Sequence, residues 1–592
     1  MYTEIEPIKG LKFRSDVGAK MAFCGNESFT PIYYLNASSS NLTKNSYYRA
    51  NNQGLIWNFE NNISYTRSFG KHNVTALVGT SAFVENSKGV NATYYGIPVD
   101  NFEAASMRYS VADADRLAGG WENHDHKVSS LLASLIYNYS EKYLFTGIIR
   151  RDGSSRFGSN NKYGVFPSAS VGWVASQEGF WPKNKVVNFL KIRGSYGVTG
   201  NDNIGDFAYV STVSGGRNYT FGNDNYVIGY SPDAPGNPDL KWEQTSQSNV
   251  GFEATLLQSF SIVFDLFSKN TTGMLRPIIL PAYVGSGNPI GNVASMSNKG
   301  VELELGYRKQ ITNDLFVELK GNASYLKNEV TYLGTVEYIT GANFQSSAYE
   351  ISRLQVGHPI GAFYGFESLG VFKKQSDLLS YTDPVTGNLI QPNAQIGDLK
   401  FADINGRDAA GNLTGKPDGK ITSDDRTFIG DPTPNWSYGF TASANFKGID
   451  ILIFGQGVAG NQIFNGLRRL DISGANWTTA ALDAWTQTNP FSDFPRLSVV
   501  DPNKNFRNPS SFYLSDGAYF RIKTLQIGYS LPKSIIEKVG IQKLRFYVSS
   551  NNLFTITKYT GYDPEIGGGS YGIDRGVYPQ ARSFLAGVNV TF

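Results

Sequence analysis

Apolar side chains recur along this chain at every second position, in runs of about ten residues, the length of a tilted strand that crosses a bilayer. In "VELELGYR", Val301, Leu303, Leu305 and Tyr307 share one side, and Glu302, Glu304, Gly306 and Arg308 share the other. "WNFENNISYT" sets Trp57, Phe59, Ile63 and Tyr65 against Asn58, Glu60, Asn62, Ser64 and Thr66. "LLASLIYNY" groups Leu131, Ala133, Leu135, Tyr137 and Tyr139, and "FSIVFDLF" groups Phe260, Ile262, Phe264 and Leu266. A period of two marks an extended strand with one apolar and one polar face. Helical periodicity is scarce, and "SIIEKVG" after Pro532 is the best short candidate.

The connections add direction. Tight turns fall at Gly70-Lys71, Ser140-Glu141-Lys142, Leu257-Gln258-Ser259, Thr312-Asn313-Asp314 and Lys447-Gly448. Between these hairpins lie long polar stretches, Asn86 to Asn123, Gly200 to Pro238 and Gly334 to Pro434. Short and long connections tend to alternate, as in an outer-membrane barrel with short periplasmic turns and long extracellular loops. The pattern predicts an all-β, transmembrane, antiparallel up-and-down β-barrel with about sixteen strands present, an even number as in bacterial barrels. The last residues, "SFLAGVNVTF", place Phe584, Ala586, Val588, Val590 and Phe592 on one side. On this reading the final strand closes the sheet, leaves the C-terminus periplasmic, and offers Phe592 as the signal read by the barrel-assembly machinery. Closure removes the open edges that lipid does not tolerate.

Composition narrows the class further. Aromatic residues make up 14% and charged residues 17% of the 592 positions, against roughly 25% charged in an average globular protein. A net charge of +3, with no long Lys/Arg run, gives no footprint for nucleic acid. The single cysteine, Cys24, excludes an intramolecular disulfide framework and a Cys-based zinc site; it is expected to be a small buried apolar residue. No stretch approaches the roughly 20 apolar residues of a membrane-spanning helix, and "MYTEIEPIKG" lacks the apolar core of a signal peptide.

The stretches "RRDGSSRFG", "LKIRGSYGVTGN", "NPDLKWEQTSQSNVGFE", "MSNKGVELELGY", "YFRIKTLQIGYSLP", "NNLFTITKYTGYDPE" and "YPQARSFLAGVNVTF" together resemble the SusC/RagA family of TonB-linked outer-membrane transporters of Bacteroidetes. The resemblance runs from about Trp57 to Phe592. It implies a 22-stranded barrel, plugged by an N-terminal domain, capped by a SusD-like surface lipoprotein, and energised by TonB–ExbB–ExbD. The implied cargo is an oligosaccharide or a peptide. Residues 1–592 are then expected to be a partial barrel, with the signal peptide, TonB box, plug and first strands absent.

One loop carries candidate metal chemistry. In "DINGRDAAGNLTGKPDGKITSDD", Asp403 and Asn405 match the first oxygen ligands of a calcium loop. Asp418 and Asp425 match positions 5 and 12, Gly419 the turn glycine, and the Lys420 carbonyl position 7. Related proteins carry an uninterrupted D-x-N-G-D-G loop here, which the resemblance implies; in this chain Arg407 to Pro417 split it. The calcium-binding-like insertion is placed at 396–432, within an extracellular loop, with Asp424 or Asp408 as substitute ligands. The alternative is an acidic surface loop without metal.

Enzyme-like strings are discounted. Gly455, Gly457 and Gly460 in "GQGVAG", with Asp471 beyond, lack the strand-loop-helix unit of a dinucleotide site. "GGSYG" around Ser570 has no strand leading into a nucleophile elbow. In "HDH", His124 and His126 are expected at a solvated loop edge, since Asp125 between them points to the opposite face. Trp121, Trp242, Trp477 and Trp485 would either stack on sugar rings or pack within girdle and loops, so no substrate site is named. No catalytic residue is assigned. The leading reading is nutrient import as the barrel of a SusC-type transporter. The rivals are a passive plug-less pore or non-functional fragment, and a secreted β-rich glycan-binding or adhesin module.

Overall fold

The structure is a computed structural model that describes residues 1–592 apart from 37–38, 183–185, 223–224, 344–349, 469–474, 538–539 and 568–570. Among the described residues, eighteen strands make up the main sheet, against about sixteen expected. In chain order they are β1 (Tyr2–Ile8), β2 (Leu11–Thr30), β3 (Ser46–Phe69), β4 (His72–Tyr95), β5 (Arg116–Glu122), β6 (His126–Tyr139), β7 (Tyr143–Ser154), β8 (Tyr163–Trp173), β9 (Val187–Asn201), β10 (Glu243–Leu256), β11 (Phe260–Pro277), β12 (Ile290–Gln310), β13 (Leu315–Tyr332), β14 (Trp436–Phe446), β15 (Ile449–Ala459), β16 (Tyr519–Ser530), β17 (Lys543–Thr557) and β18 (Ser583–Thr591). Two of the eighteen, β1 and β2, come from the first thirty residues. Two others, β5 and β6, lie end to end along one partner: β4 pairs with β5 through Lys88–Tyr94 and with β6 through His72–Glu85.

The five expected tight turns all join neighbouring antiparallel strands. Their shape follows from residues held at positive φ: Ser140 and Glu141, Leu257 and Gln258, and Lys447 with Gly448. Such pairs match the right-handed twist of the strands they join. The strands themselves outrun the ten-residue expectation, since β3 and β4 each have 24 residues. Asn86 to Asn123 is thus not one polar loop. β4 continues to Tyr95 and β5 begins at Arg116, because backbone pairing persists where the apolar signal has faded. The short helix after Pro532 is present at Lys533–Ile536.

The chain divides into two compact units: residues 1–173, 194–247 and 271–293, and residues 174–193, 248–270 and 294–592. In the first unit the register aligns side chains in rows across β3, β4, β6, β7 and β8. One row reads Phe69, His72, Tyr139, Tyr143, Trp173, with Phe69 stacked on His72 at 5.1 Å and His72 edge-on to Tyr139 at 4.9 Å. On the same face, ten residues along each strand, lies the row Phe59, Ala82, Ser129, Gly153, Tyr163. Between them sit Ile63, Val78, Ala133, Ile149 and Pro167. Ten residues of strand, tilted by about 40°, span about 25 Å, the height of the apolar band between aromatic girdles.

The second unit repeats this spacing independently. Leu315, Phe446, Ile449, Tyr529, Phe546 and Val588 form one row, and Tyr325 and Trp436 stand ten residues further along β13 and β14. Phe584, Ala586 and Val588 of the last strand join this apolar face as expected. Phe592 lies one residue past the paired segment and is 81% exposed.

Among the described residues no second layer covers these rows. Ile149 is 51%, Val78 55% and Val548 58% exposed, values a water-facing sheet of this size does not sustain. The opposite face is polar, with Asn58, Asn62 and Glu60 among its members. Cys24 belongs to that polar face, opposite Asn52, and is exposed rather than buried, since a single-layer sheet has no interior for it.

If lipid covers the apolar face, Ile149→Arg at mid-band should destabilise the folded protein in bilayers by about 2–4 kcal/mol. Ser134→Arg, on the polar face at similar height, should cost well under half of that. Urea unfolding in lipid vesicles reads both; equal effects would remove the membrane assignment of that face.

Candidate functional site

The buried cores lie in the long connections. In the second unit, the described residues of stretches 333–435, 460–518 and 558–582 fold together. Ile351, Phe363, Phe464 and Ile573 are each fully buried in one cluster with Tyr513. Gln462–Asn465 pairs antiparallel with Leu514–Asp516 and parallel with Ile573–Asp574, so a small three-stranded sheet unites two connections. Phe363–Phe366 pairs with Arg426–Gly430 beside it. A second cluster, Phe366, Leu399 and Phe401, abuts the first through Phe512.

Buried charge fixes this body. The Asp398 carboxylate, fully buried, accepts from Arg496 Nε at 2.6 Å, Arg496 Nη2 at 3.2 Å and Asn505 Nδ2 at 2.8 Å. Asn505 in turn accepts the Leu399 N–H at 2.9 Å. Glu350 holds Arg353 and Arg426, and the Arg353 guanidinium lies 3.7 Å from the Tyr338 ring centre and 3.5 Å from that of Tyr364. From the ladder, Arg521 of β16 donates to Asp563 at 2.6 Å and Glu565 at 2.8 Å, while Lys523 also reaches Glu565. Burial pushes the Asp563 carboxyl up, but N–H groups of Glu565 and Gln580, with Arg521, outweigh it and hold it below the ordinary range. That contribution to stability is present above the unfolded carboxylate pKa and is lost as pH falls through the lowered one.

The split acidic loop closes. The insertion makes its own hairpin, with Arg407 bridged to Leu413 and tied to Asp424 by two bonds of 2.6 and 2.8 Å. That returns Asp418 to Asp403, whose carboxylate accepts the N–H groups of Asp418 at 3.1 Å and Gly419 at 2.8 Å. Gly419 has φ +82°, the left-handed turn expected of it. Buried Asp425 accepts from Ile404, Asn405 and Thr422 N–H, and Asn405 Oδ1 from Gly406 and Gly415. Asp418 Oδ1 accepts the Lys420 N–H. Burial raises the Asp403 carboxyl above the ordinary range against the pull of its two N–H groups, and the charges of Asp425 and Asp418 add to the rise. Asp408 is engaged in its own turn with Ala410 and Asn412. Among the described residues no group of three or more His, Cys, Asp or Glu is disposed to hold a metal ion.

The tryptophans separate. Trp242 packs in a buried cluster with Phe157, Phe166 and Leu240. Trp477 meets Phe506 at 4.6 Å under the Arg468 guanidinium, and Trp485 donates to the Pro490 carbonyl. Trp121, 42% exposed, instead lines an open groove of about 900 Å³ with Phe23, Cys24, Asn52, Lys88 and Glu122. His124 packs edge-on to Phe207, while His126 is bonded to Asp202 at 2.8 Å and largely buried. The expected solvated edge is therefore wrong for His126, because loop 202–242 supplies it with a carboxylate. Gly455 and Gly457 lie within β15, where a Cβ would meet Phe440 and Phe520, or Tyr438. They make room for rings across the ladder rather than for a phosphate. Asp471 and Ser570 lie outside the described residues.

Comparison with known proteins places this geometry. Residues 13–553 match the family model "TonB dependent receptor-like, beta-barrel". The chain is 31% identical to TonB-dependent receptor P3 of Formosa agariphila over 604 aligned positions, covering 100% of this chain and 57% of that protein. It is 26% identical to TonB-dependent receptor SusC of Bacteroides thetaiotaomicron, covering 99% and 57%. The chain thus spans a little over half the length of these relatives. The solved structure of the RagAB peptide transporter superposes with a TM-score of 0.82 at 24% identity, over 100% of this chain and 61% of the other, which shows the shared fold.

Replacing Asp398 by Ala strands Arg496 beside a buried cavity, and should weaken the long-connection body by about 3–5 kcal/mol. Limited proteolysis should then cut within 333–518 while heat-modifiable migration of the ladder persists. Unchanged protease resistance would show that the pair does not hold the body together.

Proposed function

Since this chain belongs to the TonB-dependent receptor-like β-barrel family, we propose that it forms the wall and surface loops of a SusC-type importer in the outer membrane. The cargo is an oligosaccharide or peptide. A SusD-like lipoprotein docks on the surface loops, and TonB–ExbB–ExbD supplies energy through a plug segment. The observation that carries this reading is the pair of apolar bands of equal height, joined to long connections with cores of their own. A lipid-facing wall needs the first, and a docking rim that keeps its shape away from lipid needs the second.

The test is genetic and biochemical together. Deletion of the coding frame should abolish growth on, or uptake of, one oligosaccharide or peptide class, and the tagged chain should co-purify from outer membranes with a surface lipoprotein. Uptake unchanged across both classes would remove the importer reading. Steady large conductance of the purified chain in planar bilayers would favour a passive pore instead.

The acidic loop supports a smaller proposal, a Ca²⁺ held by Asp403, Asn405, Asp418, the Lys420 carbonyl and Asp425. What supports it is the closed loop, which returns Asp418 and Gly419 to Asp403 and so gathers oxygen donors of the type calcium takes; the cation would have to displace the N–H groups that those oxygens now accept. Without a cation, protonation of Asp403 favours the folded loop below the ordinary carboxylate value, and that advantage is lost as pH rises through the raised one. Calcium should therefore protect 403–425 from proteolysis at neutral pH and release as pH falls through the raised Asp403 value. Identical cleavage with calcium and with chelator would leave the loop closed by its N–H bonds alone.

A further inference from the structure

We propose that Arg151, backed by Tyr163 and beside Ser129 in a groove that extends to Thr80 and Asn61, holds the phosphate of an anionic lipid at the outer rim of the apolar band. The proposal rests on the outer-membrane reading above and adds a ligand site on the outside of the wall.

Arg150 and Arg151 are neighbours on β7 that face opposite ways. Arg150 lies on the polar face, where its Nε bonds both Asp152 oxygens at 2.7 and 2.9 Å and its Nη2 reaches Ser130. Arg151 lies on the apolar face, paired across the strands with Leu131 and Val165. Its guanidinium stacks 3.8 Å from the Tyr163 ring centre, and among the described residues no carboxylate pairs with it. The surroundings are Leu131, Ile149 and Val165, which are 49%, 51% and 48% exposed. A guanidinium on the lipid face costs about 2–4 kcal/mol at mid-band and about 0–1 kcal/mol near the interface.

The register gives its height. Arg151 is eight residues along β7 from Tyr143 of the lower aromatic row, and one step of two short of the Gly153–Tyr163 row. It therefore sits at the boundary between acyl chains and headgroups, where the available anion is a lipid phosphate. The groove there, about 350 Å³, is lined by Asn61, Thr80, Ser129, Arg151 and Tyr163. Ser129 stands on the neighbouring strand, while Thr80 and Asn61 lie two and three strands away along the same groove, and the Tyr163 ring backs the guanidinium. Exposed Leu131 and Val165 flank Arg151 on the neighbouring strands and Ile149 lies two residues toward mid-band, an apolar surround that the acyl chains of the same lipid would cover. That last point favours a lipid over free phosphate.

The experiment uses the full chain in detergent, titrated with phosphatidylglycerol or phosphatidylcholine and read by native mass spectrometry. Wild type should bind phosphatidylglycerol about ten-fold more tightly than phosphatidylcholine, the size of one charge-assisted contact. Arg151→Gln should lose that preference, Arg151→Lys should keep part of it, and inorganic phosphate in large excess should not displace the lipid. Tyr163→Leu, which leaves the charge but frees the fork, should weaken the preference and serves if the glutamine variant fails to fold. A preference retained in Arg151→Gln overturns the proposal, and so does displacement by inorganic phosphate, which would make this a free-anion site. Heat-modifiable migration, followed in every variant, separates the two readings: its absence in wild type sinks the membrane assignment, whereas its presence with no lipid preference sinks only the headgroup site.

Discussion

The main sheet depends on a neighbour that is not protein. Its backbone groups are satisfied strand to strand, yet one face of the ladder presents mainly leucine, isoleucine, valine and aromatic rings with no described residue layered over them. A soluble sheet would meet a second layer about 10 Å away. Here the compensating surface has to be apolar, continuous and about 25 Å tall, because the aromatic rows on β3–β8 and on β13–β14 bound a band of that height. Lipid meets all three requirements. The polar opposite face, with Asn52, Asn58 and Asn62 in register, follows from the same constraint, since alternation leaves the other side for water.

How much of this the sequence discloses varies with the range of the interaction. Period-two alternation and tight turns are local, so the strands around Trp57, Leu131, Phe260 and Val301 and all five expected hairpins are legible. Strand length is not. β4 runs on through "NSKGVNATYY", where pairing continues outside the band and no apolar face is needed to mark it. β2 carries a weaker signal for a related reason: Ser15 and Ala19 interrupt its apolar row. Cys24 and His126 show the converse failure. Cys24 stays exposed because its sheet has no second layer, and His126 is covered because a distant loop brings Asp202 to it.

The candidate site is less legible because its order comes from long-range pairs. Asp398 and Arg496 are 98 positions apart, and in the sequence each is an ordinary charge in a polar stretch. Only folding shows that they neutralise each other out of water. The tryptophans behave alike: Trp242, Trp477 and Trp485 become packing residues through Phe157, Phe506 and Pro490, none of which a periodicity could have named. The split acidic loop is an intermediate case. Its ligand-type residues and turn glycine were readable, whereas the outward hairpin that reunites Asp403 with Asp418 depends on the Arg407–Asp424 pair.

Two sources of stability therefore coexist within the second unit, and they call for a joint. The ladder draws on lipid, while the long-connection body draws on its own buried phenylalanines and isoleucines, so neither dictates the position of the other. Arg521 supplies that constraint. It stands on the polar face of β16, 3% exposed, where an unpaired guanidinium would cost several kcal/mol. Its partners, Asp563 and Glu565, come from connection 558–582, and Asp563 also takes the N–H of Gln580 at the far end of the same stretch. The charge on a ladder strand is satisfied only when that connection lies in one register. A surface body on such a footing keeps its shape because displacing it would strand a buried cation, a penalty that grows at the first loss of contact rather than gradually.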